Sequence, residues 1–246
     1  MTIYQFFITQ SEIEPYGLVR LEGQDARHMR VLRLKKGSAI RLVDEKQVRY
    51  TAVVERVTSR EVIARLVEAH DASASSVRLS IIQGIPRLPK ADWITQKLTE
   101  LGVQSVAFAP TEFTPYKDGF DRVCRRLPRL RAIAEAAAKQ CARLDIPSVI
   151  VHADLNEAIE QAAPGAILLV ADEKAPRGRL CDLLASAAGD TPVVAFIGPE
   201  GGLSENEARH LKERGAAGFS LGGTILRTET AAMTAAAIIL YEMGLM

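Results

Sequence analysis

The side chains best suited to chemistry sit near the C-terminus, in Arg227-Thr228-Glu229-Thr230, at the head of an almost wholly apolar run. An Arg beside a helix N-terminus can hold an anion or polarise a carbonyl. Thr228 or Thr230 can cap such a helix, and Glu229 is favourable near its positive end. Immediately upstream lies a glycine-bearing stretch, Leu221-Gly222-Gly223-Thr224-Ile225-Leu226. A second one precedes it, Phe196-Ile197-Gly198-Pro199-Glu200-Gly201-Gly202-Leu203-Ser204. Glycines packed this densely let a backbone turn sharply and approach a ligand without side-chain obstruction. Two such loops predict a pocket built largely from backbone amides and carbonyls. Glu200 in it is either a surface carboxylate or one that faces a polar or cationic ligand atom.

The loops also exclude chemistry. Neither contains G-x-x-x-x-G-K-[ST] or G-x-G-x-x-G, so the triphosphate and dinucleotide fingerprints are missing. His28, His70, His152 and His210 are scattered, and Cys124, Cys141 and Cys181 have no metal-ligand spacing. No metal is expected, and the odd cysteine count favours free thiols in a reducing cytoplasm.

The elements that must position the loops follow from periodicity. From Val77 onward, strands alternate with helices. Strands are predicted at Val77–Gln83, Val103–Ala109, Ser148–Val151, Ala166–Ala171, Val193–Ile197 and Phe219–Leu221. Helices are predicted at Lys90–Gly102, Asp121–Leu144, Asp154–Ala163, Gly178–Ala188, Ser204–Arg214 and Thr228–Met243. Ser204-x-x-Glu207 is a capping box and Gly215 a stop. Such alternation predicts a parallel sheet covered by helices, with ligands at the carboxyl ends of its strands, where both glycine loops fall. The first seventy residues read instead as β-rich, with strands at Ser38–Asp44, Val48–Val57 and Glu61–Glu68 and a short helix near Gly23–Arg30. The small, polar stretch His70–Ser76 reads as a linker.

The chain has 246 residues, 48% apolar and 25% charged, ordinary for a soluble globular protein. It carries no apolar run long enough for a membrane span and no signal-peptide pattern. Its net charge of +1 conceals an asymmetry: residues 1–76 carry +2, residues 77–149 carry +5 and residues 150–246 carry −6. Two runs are basic without an intervening acid. One is Arg27, Arg30, Arg33, Lys35 and Lys36; the other is Arg122, Arg125, Arg126, Arg129 and Arg131. Each reads either as a solvated face, partly paired with acids of the same chain, or as a surface for phosphates.

F-I-G-P-E-G-G-L-S-x-x-E followed by L-G-x-x-I-L-R-T-E-T-A resembles the signature of the RsmE family. These are 16S rRNA (uridine-N3) methyltransferases of the SPOUT superfamily that use S-adenosyl-L-methionine. Arg30-Val31-Leu32-Arg33-Leu34 resembles the family's N-terminal motif, and Gln96–Val103 its Q-K-x-x-E-L-G-V helix. Glu135-Ala136 with Gln140, Arg143 and Pro147 resembles its E-A-x-x-Q-x-x-R-x-x-x-P segment. Two departures stand out: Thr224 where an Arg is common, and Leu130 where an aromatic is common.

The resemblance implies an α/β protein with a PUA-like β-rich RNA-binding barrel at residues 1–72. It implies a trefoil-knotted SPOUT methyltransferase domain at residues 77–246. It further implies a cytoplasmic homodimer acting on 16S rRNA or the 30S subunit. On this reading Arg227 and Glu229 are catalytic. Cofactor contacts come from Val170, Ile197, Gly198, Pro199, Glu200, Gly201, Gly202, Leu221, Gly222, Ile225, Leu226 and Thr230. RNA contacts come from Arg27, Arg30, Arg33, Lys35, Arg125, Arg126, Arg129 and Arg143. Two other readings remain at this stage: a non-catalytic RNA-binding or ribosome-assembly factor on the same fold, and an unrelated α/β nucleotide-dependent enzyme.

Overall fold

The computed structural model describes residues 3–70, 77–176, 179–185 and 191–246. These fall into two compact units. The described residues up to His70, joined by Ala138–Asp145, form one; the remainder form the other.

The first unit is built on a six-stranded mixed sheet ordered β1-β4-β5-β6-β3-β2. Its strands are β1 (Tyr4–Phe7), β2 (Ile13–Glu14), β3 (Leu18–Glu22), β4 (Ala39–Val43), β5 (Arg49–Val57) and β6 (Glu61–His70). Strand β1 runs parallel to β4, and the other neighbours are antiparallel. Alternate side chains enter the core, as the two-residue period of a strand requires: Val19 and Leu21 from β3, Ile40 and Leu42 from β4, Ala52 and Val54 from β5. Helix α1 (Gly23–Val31) closes this core with Ala26 and Met29. His70, expected to open a linker, instead ends β6. The remainder of the expected linker, residues 71–76, lies outside the described residues.

The second unit holds a six-stranded, wholly parallel sheet ordered β12-β10-β11-β7-β8-β9. The strands are β7 (Leu79–Gly84), β8 (Ser105–Ala109), β9 (Ser148–Val151), β10 (Ile167–Ala171), β11 (Val193–Ile197) and β12 (Ala217–Phe219). The helices are α2 (Leu88–Leu101), α3 (Gly119–Gln140, of which Ala138 onward belongs to the first unit), α4 (Leu155–Glu160), α5 (Arg179–Leu184), α6 (Glu205–Glu213) and α7 (Thr228–Glu242). Both faces of the sheet are covered, so its strands are continuous apolar runs. Ile81, Val106, Ala195 and Ile197 join Ile94, Leu98 and Leu130 and the α7 residues Ala232, Ala235 and Ile239 in one core. Their neighbours Ile82, Ala107, Val194 and Phe196 face Leu155, Ile159 and Leu211 in the other.

Element bounds differ from expectation where no sequence signal announces them. Helix α3 stops at Gln140 rather than Leu144, and Ala142 takes φ +60 just beyond it. The final strand ends at Phe219, which frees Ser220 and Leu221 for the loop that follows. The expected helix Gly178–Ala188 is described over Arg179–Leu184; residues 178 and 186–188 lie outside the described residues. Helix α6 keeps its expected box, with Ser204 accepting from the Glu207 N–H and Glu207 from the Ser204 N–H.

Candidate active site

Because all six strands are parallel, the carboxyl ends of β12, β10, β11 and β7 lie side by side on one edge of the sheet. The loop after β11 and the loop after β12 therefore converge. They bound a cleft of about 590 Å³ lined by residues 197–203, Ser220–Gly222, Thr224–Thr228, Ala231, Lys90 and Ala171–Glu173. That volume is ordinary for a site holding a small molecule. Of the expected cofactor contacts, Ile197 to Gly202, Leu221, Gly222, Ile225 and Leu226 line it. Val170 lines an adjoining cleft of about 500 Å³ that shares Ala171, Asp172, Glu173 and Leu203. Thr230 and Glu229 line neither.

The first loop is folded back tightly on itself. A Cβ on Gly198 would lie 2.9 Å from the Gly202 Cα and 2.9 Å from the Leu203 N. No larger residue fits that cradle, which leaves the loop backbone as the wall of the cleft. The second loop is open: Ile225 is 93% exposed and Thr224 is exposed. Leu130, the other departure from the family pattern, is fully buried in the core beneath α3.

Helix α7 starts differently from the capping expected. Arg227 is its extended N-cap and makes no side-chain cap bond, while Thr228 is the first helical residue. The Thr228 hydroxyl reaches across to the first loop and donates to the Gly198 carbonyl at 2.6 Å. Arg227 is exposed at the cleft, and among the described residues its side chain has no hydrogen bond or ion pair. Glu229 is in ion contact with Lys90, whose Nζ lies 2.9 Å from Glu229 Oε2 and 3.2 Å from Glu200 Oε1. Burial drives the Glu229 carboxyl upward, but the Lys90 ammonium, its own backbone N–H and Arg227 bring it below its usual value. Burial drives Lys90 downward, and the two carboxylates more than offset this, raising it.

Two residues of this site escape sequence reasoning. Gln83, at the end of β7, is fully buried and donates from Nε2 to the Thr228 hydroxyl at 2.8 Å and the Gly198 carbonyl at 3.0 Å. Lys90 sits in the first turn of α2. Their shared signal is position: both lie close to the carboxyl end of a central parallel strand, where ligand sites collect.

The structure separates the expected RNA-contacting cations. Arg27, Arg33 and Lys35 are exposed and make no side-chain hydrogen bond or ion pair among the described residues. Arg30 turns inward and donates to the Thr58 and Ser59 carbonyls. Arg125 is 69% exposed, 3.9 Å from Asp118. Arg126 is paired within the chain, with both oxygens of Asp92 at 2.7 and 2.6 Å. Arg129 shares Asp92 at 3.0 Å but remains 65% exposed. Only 10% of the Arg143 side chain is exposed, and it pairs with Asp145 at 2.8 Å. Among the described residues no group of three or more His, Cys, Asp or Glu could hold a metal ion, and no helix is long and apolar enough to cross a membrane.

This fold and cleft define an RNA methyltransferase. Residues 73–240 match the RNA methyltransferase domain, and residues 21–67 match the RNA methyltransferase PUA domain. The chain belongs to the ribosomal RNA small subunit methyltransferase E family. It is 30% identical over 210 residues to the Mycobacterium bovis member, covering 83% of this chain and 79% of that one. It is 26% identical over 254 residues to the Bacillus subtilis member, covering 100% and 98%. The crystal structure of the Neisseria gonorrhoeae member bound to S-adenosyl methionine aligns with a TM-score of 0.83 at 27% identity, covering 98% of each chain.

Proposed function

We propose that the protein transfers the methyl group of S-adenosyl-L-methionine to N3 of one uridine in 16S rRNA, within the 30S subunit. The observation that carries this reading is the convergence of two backbone-lined loops on one cleft, with the uncommitted Arg227 at its lip. The cleft suits the cofactor. Gly198 lets the first loop fold onto itself and present its backbone to the cleft, and Asp172, Glu173 and Glu200 place carboxylates along the lining, Asp172 paired with Lys212 and Glu200 with Lys90. When bound, the cofactor supplies a methyl carbon made electrophilic by its sulfonium.

The chain's own residues address the other reactant. Uridine N3 bears a proton and becomes nucleophilic only as that proton is lost to water, while negative charge spreads onto the flanking carbonyl oxygens. Arg227 is assigned to stabilise that charge and to orient the base, because a fixed cation aimed at developing charge lowers the barrier. Glu229, kept ionised by Lys90, is better suited to polar positioning than to accepting the proton. N3 lies on the pairing edge of uracil, so the target must be unpaired or extruded. Arg27, Arg33, Lys35, Arg125 and Arg129 are assigned to phosphates, while Arg30 ties α1 to the turn between β5 and β6 through the Thr58 and Ser59 carbonyls.

The same reading assigns residues 1–72 to RNA binding and residues 77–246 to the methyltransferase domain. It includes a trefoil knot in the methyltransferase domain, a homodimer, and activity in the cytoplasm, where the small subunit is assembled. Small subunits from a strain lacking the gene, incubated with protein and cofactor, are expected to give one new reverse-transcription stop at a uridine, since N3-methyluridine cannot pair normally. No new stop on subunits or on naked rRNA would overturn the assignment.

A further inference from the structure

The inference rests on the methyl transfer proposed above. We infer that Gln83 is a positioning residue for it: its buried amide is the shared donor that locks the two loops of the cleft in register.

Gln83 is fully buried, and its Nε2 lies 2.9 Å from the Gly84 carbonyl, 3.0 Å from the Gly198 carbonyl and 2.8 Å from the Thr228 hydroxyl. Thr228 spends its own proton on Gly198 O at 2.6 Å, so its oxygen is left to accept from Gln83. The three groups close a triangle joining β7, the first loop and the start of α7. The amide orientation is fixed by its surroundings. Turned over, Oε1 would face the Gly84 and Gly198 carbonyls, two acceptors with nothing to donate.

The arrangement is costly for a group that only fills space. Gln83 Oε1 is buried without a hydrogen-bond partner among the described residues, and a leucine would spare that orphan. What the amide provides and leucine cannot is a donor common to both loops. Thr228 follows Arg227 directly and Gly198 begins the cofactor wall, so one hydrogen-bonded node ties the wall to the cation at the lip. Cofactor affinity and Arg227 placement are thereby coupled through a residue that does not line the cleft.

The test is calorimetric titration of S-adenosylmethionine into the full-length protein and into Gln83→Leu, Thr228→Val, Thr228→Ser and the Gln83→Leu/Thr228→Val double variant, below their melting temperatures. Gln83→Leu and Thr228→Val are each expected to weaken binding by about tenfold or more, the scale of a buried polar group left unpaired. Thr228→Ser, which keeps the hydroxyl, is expected to stay within about threefold, as befits a change that preserves the hydrogen bond. The double variant is expected to lose less than the product of the two, because both act through Gly198 O. Single-turnover rates at saturating cofactor fall in the same order. Wild-type affinity and rate in Gln83→Leu would overturn the inference. If Gln83→Leu does not fold, equal affinity of Thr228→Val and Thr228→Ser overturns it instead. Absence of binding by the wild-type protein is a different result: it overturns the proposed function itself and is read before any variant.

Discussion

Lys90 holds its ammonium 2.9 Å from Glu229 and also reaches Glu200 at 3.2 Å, so one cation bridges a carboxylate of α7 and a carboxylate of the first loop. The pair is net stabilising only while both partners are charged. Glu229 is held below its usual value, so its contribution is present above the unfolded carboxylate pKa and lost as pH falls through the folded one. Lys90 is raised, so its contribution is present below its unfolded pKa and lost as pH rises through the folded one. Lys90→Met is therefore expected to cost about 1 kcal/mol near neutral pH, where a partly exposed pair has its full value. The deficit should shrink in acid. Urea melts of both proteins at neutral and acid pH check this, and a deficit independent of pH would contradict it.

Arg227 offers the cleanest separation of chemistry from folding. It is exposed and unpaired among the described residues, so Arg227→Ala should change stability by no more than about 0.5 kcal/mol. Loss of a donor aimed at developing charge typically costs about 10²- to 10³-fold in rate. Single-turnover methylation is expected to fall on that scale while cofactor affinity stays unchanged. Full turnover with unchanged affinity for both substrates would remove Arg227 from the mechanism.

Gly84 tests how closely the first loop must approach β7. Its φ is not positive, so the constraint is contact rather than backbone conformation. A Cβ there would lie 2.5 Å from Pro199 Cδ and 2.8 Å from Pro199 N, a rigid ring and a backbone atom that cannot step aside. Gly84→Ala should destabilise by about 1–3 kcal/mol, as overpacking does, and weaken cofactor binding as the loop shifts. Thermal denaturation with and without S-adenosylmethionine measures both effects.

Arg125 and Arg126 are adjacent in sequence but should behave oppositely. Asp92 is pushed up by burial and brought down by Arg126 and Arg129, ending below its usual value. Arg126→Ala strips its bidentate partner and is expected to cost about 1–3 kcal/mol of stability. Arg125→Ala should leave stability unchanged, weaken RNA binding, and reduce the slope of log affinity against log salt by about one. Filter binding across a salt series together with denaturant melts distinguishes the two.

Much of the second unit is legible in the sequence because β7, β10 and β11 are apolar runs between helical patterns, and the glycines of both loops fall at strand ends. In the first unit β4, β5 and β6 are legible, whereas β1 and β3 are not. Tyr4–Phe7 acquires its strand by pairing with Ile40–Val43, far along the chain, and Leu18–Glu22 by pairing with Glu61–Arg65. The site divides the same way. Arg227 stands beside its loop in sequence, but Gln83 is one polar residue in an apolar strand. Its partners Gly198 and Thr228 lie 115 and 145 residues away. Arg126 and Arg125 are likewise indistinguishable until Asp92 of α2 takes one of them.

His152 is expected to contribute to the acid sensitivity of the second unit. It follows β9, is 4% exposed, and its Nδ1 has no hydrogen-bond partner among the described residues. Burial pushes the imidazole down from 6.5, and Glu157 and Asp154 recover only part of the shift. The folded protein thus binds this proton less readily than the unfolded chain. Wherever the unfolded state binds more protons, stability falls as pH falls. The loss should begin as pH drops through the ordinary imidazole value near 6.5 and continue down to the depressed folded value. His152→Leu keeps the site apolar and removes the titrating group, so its stability should be flatter across this range. Urea denaturation at closely spaced pH values measures both slopes, and equal slopes in the two proteins would assign the acid sensitivity to other groups.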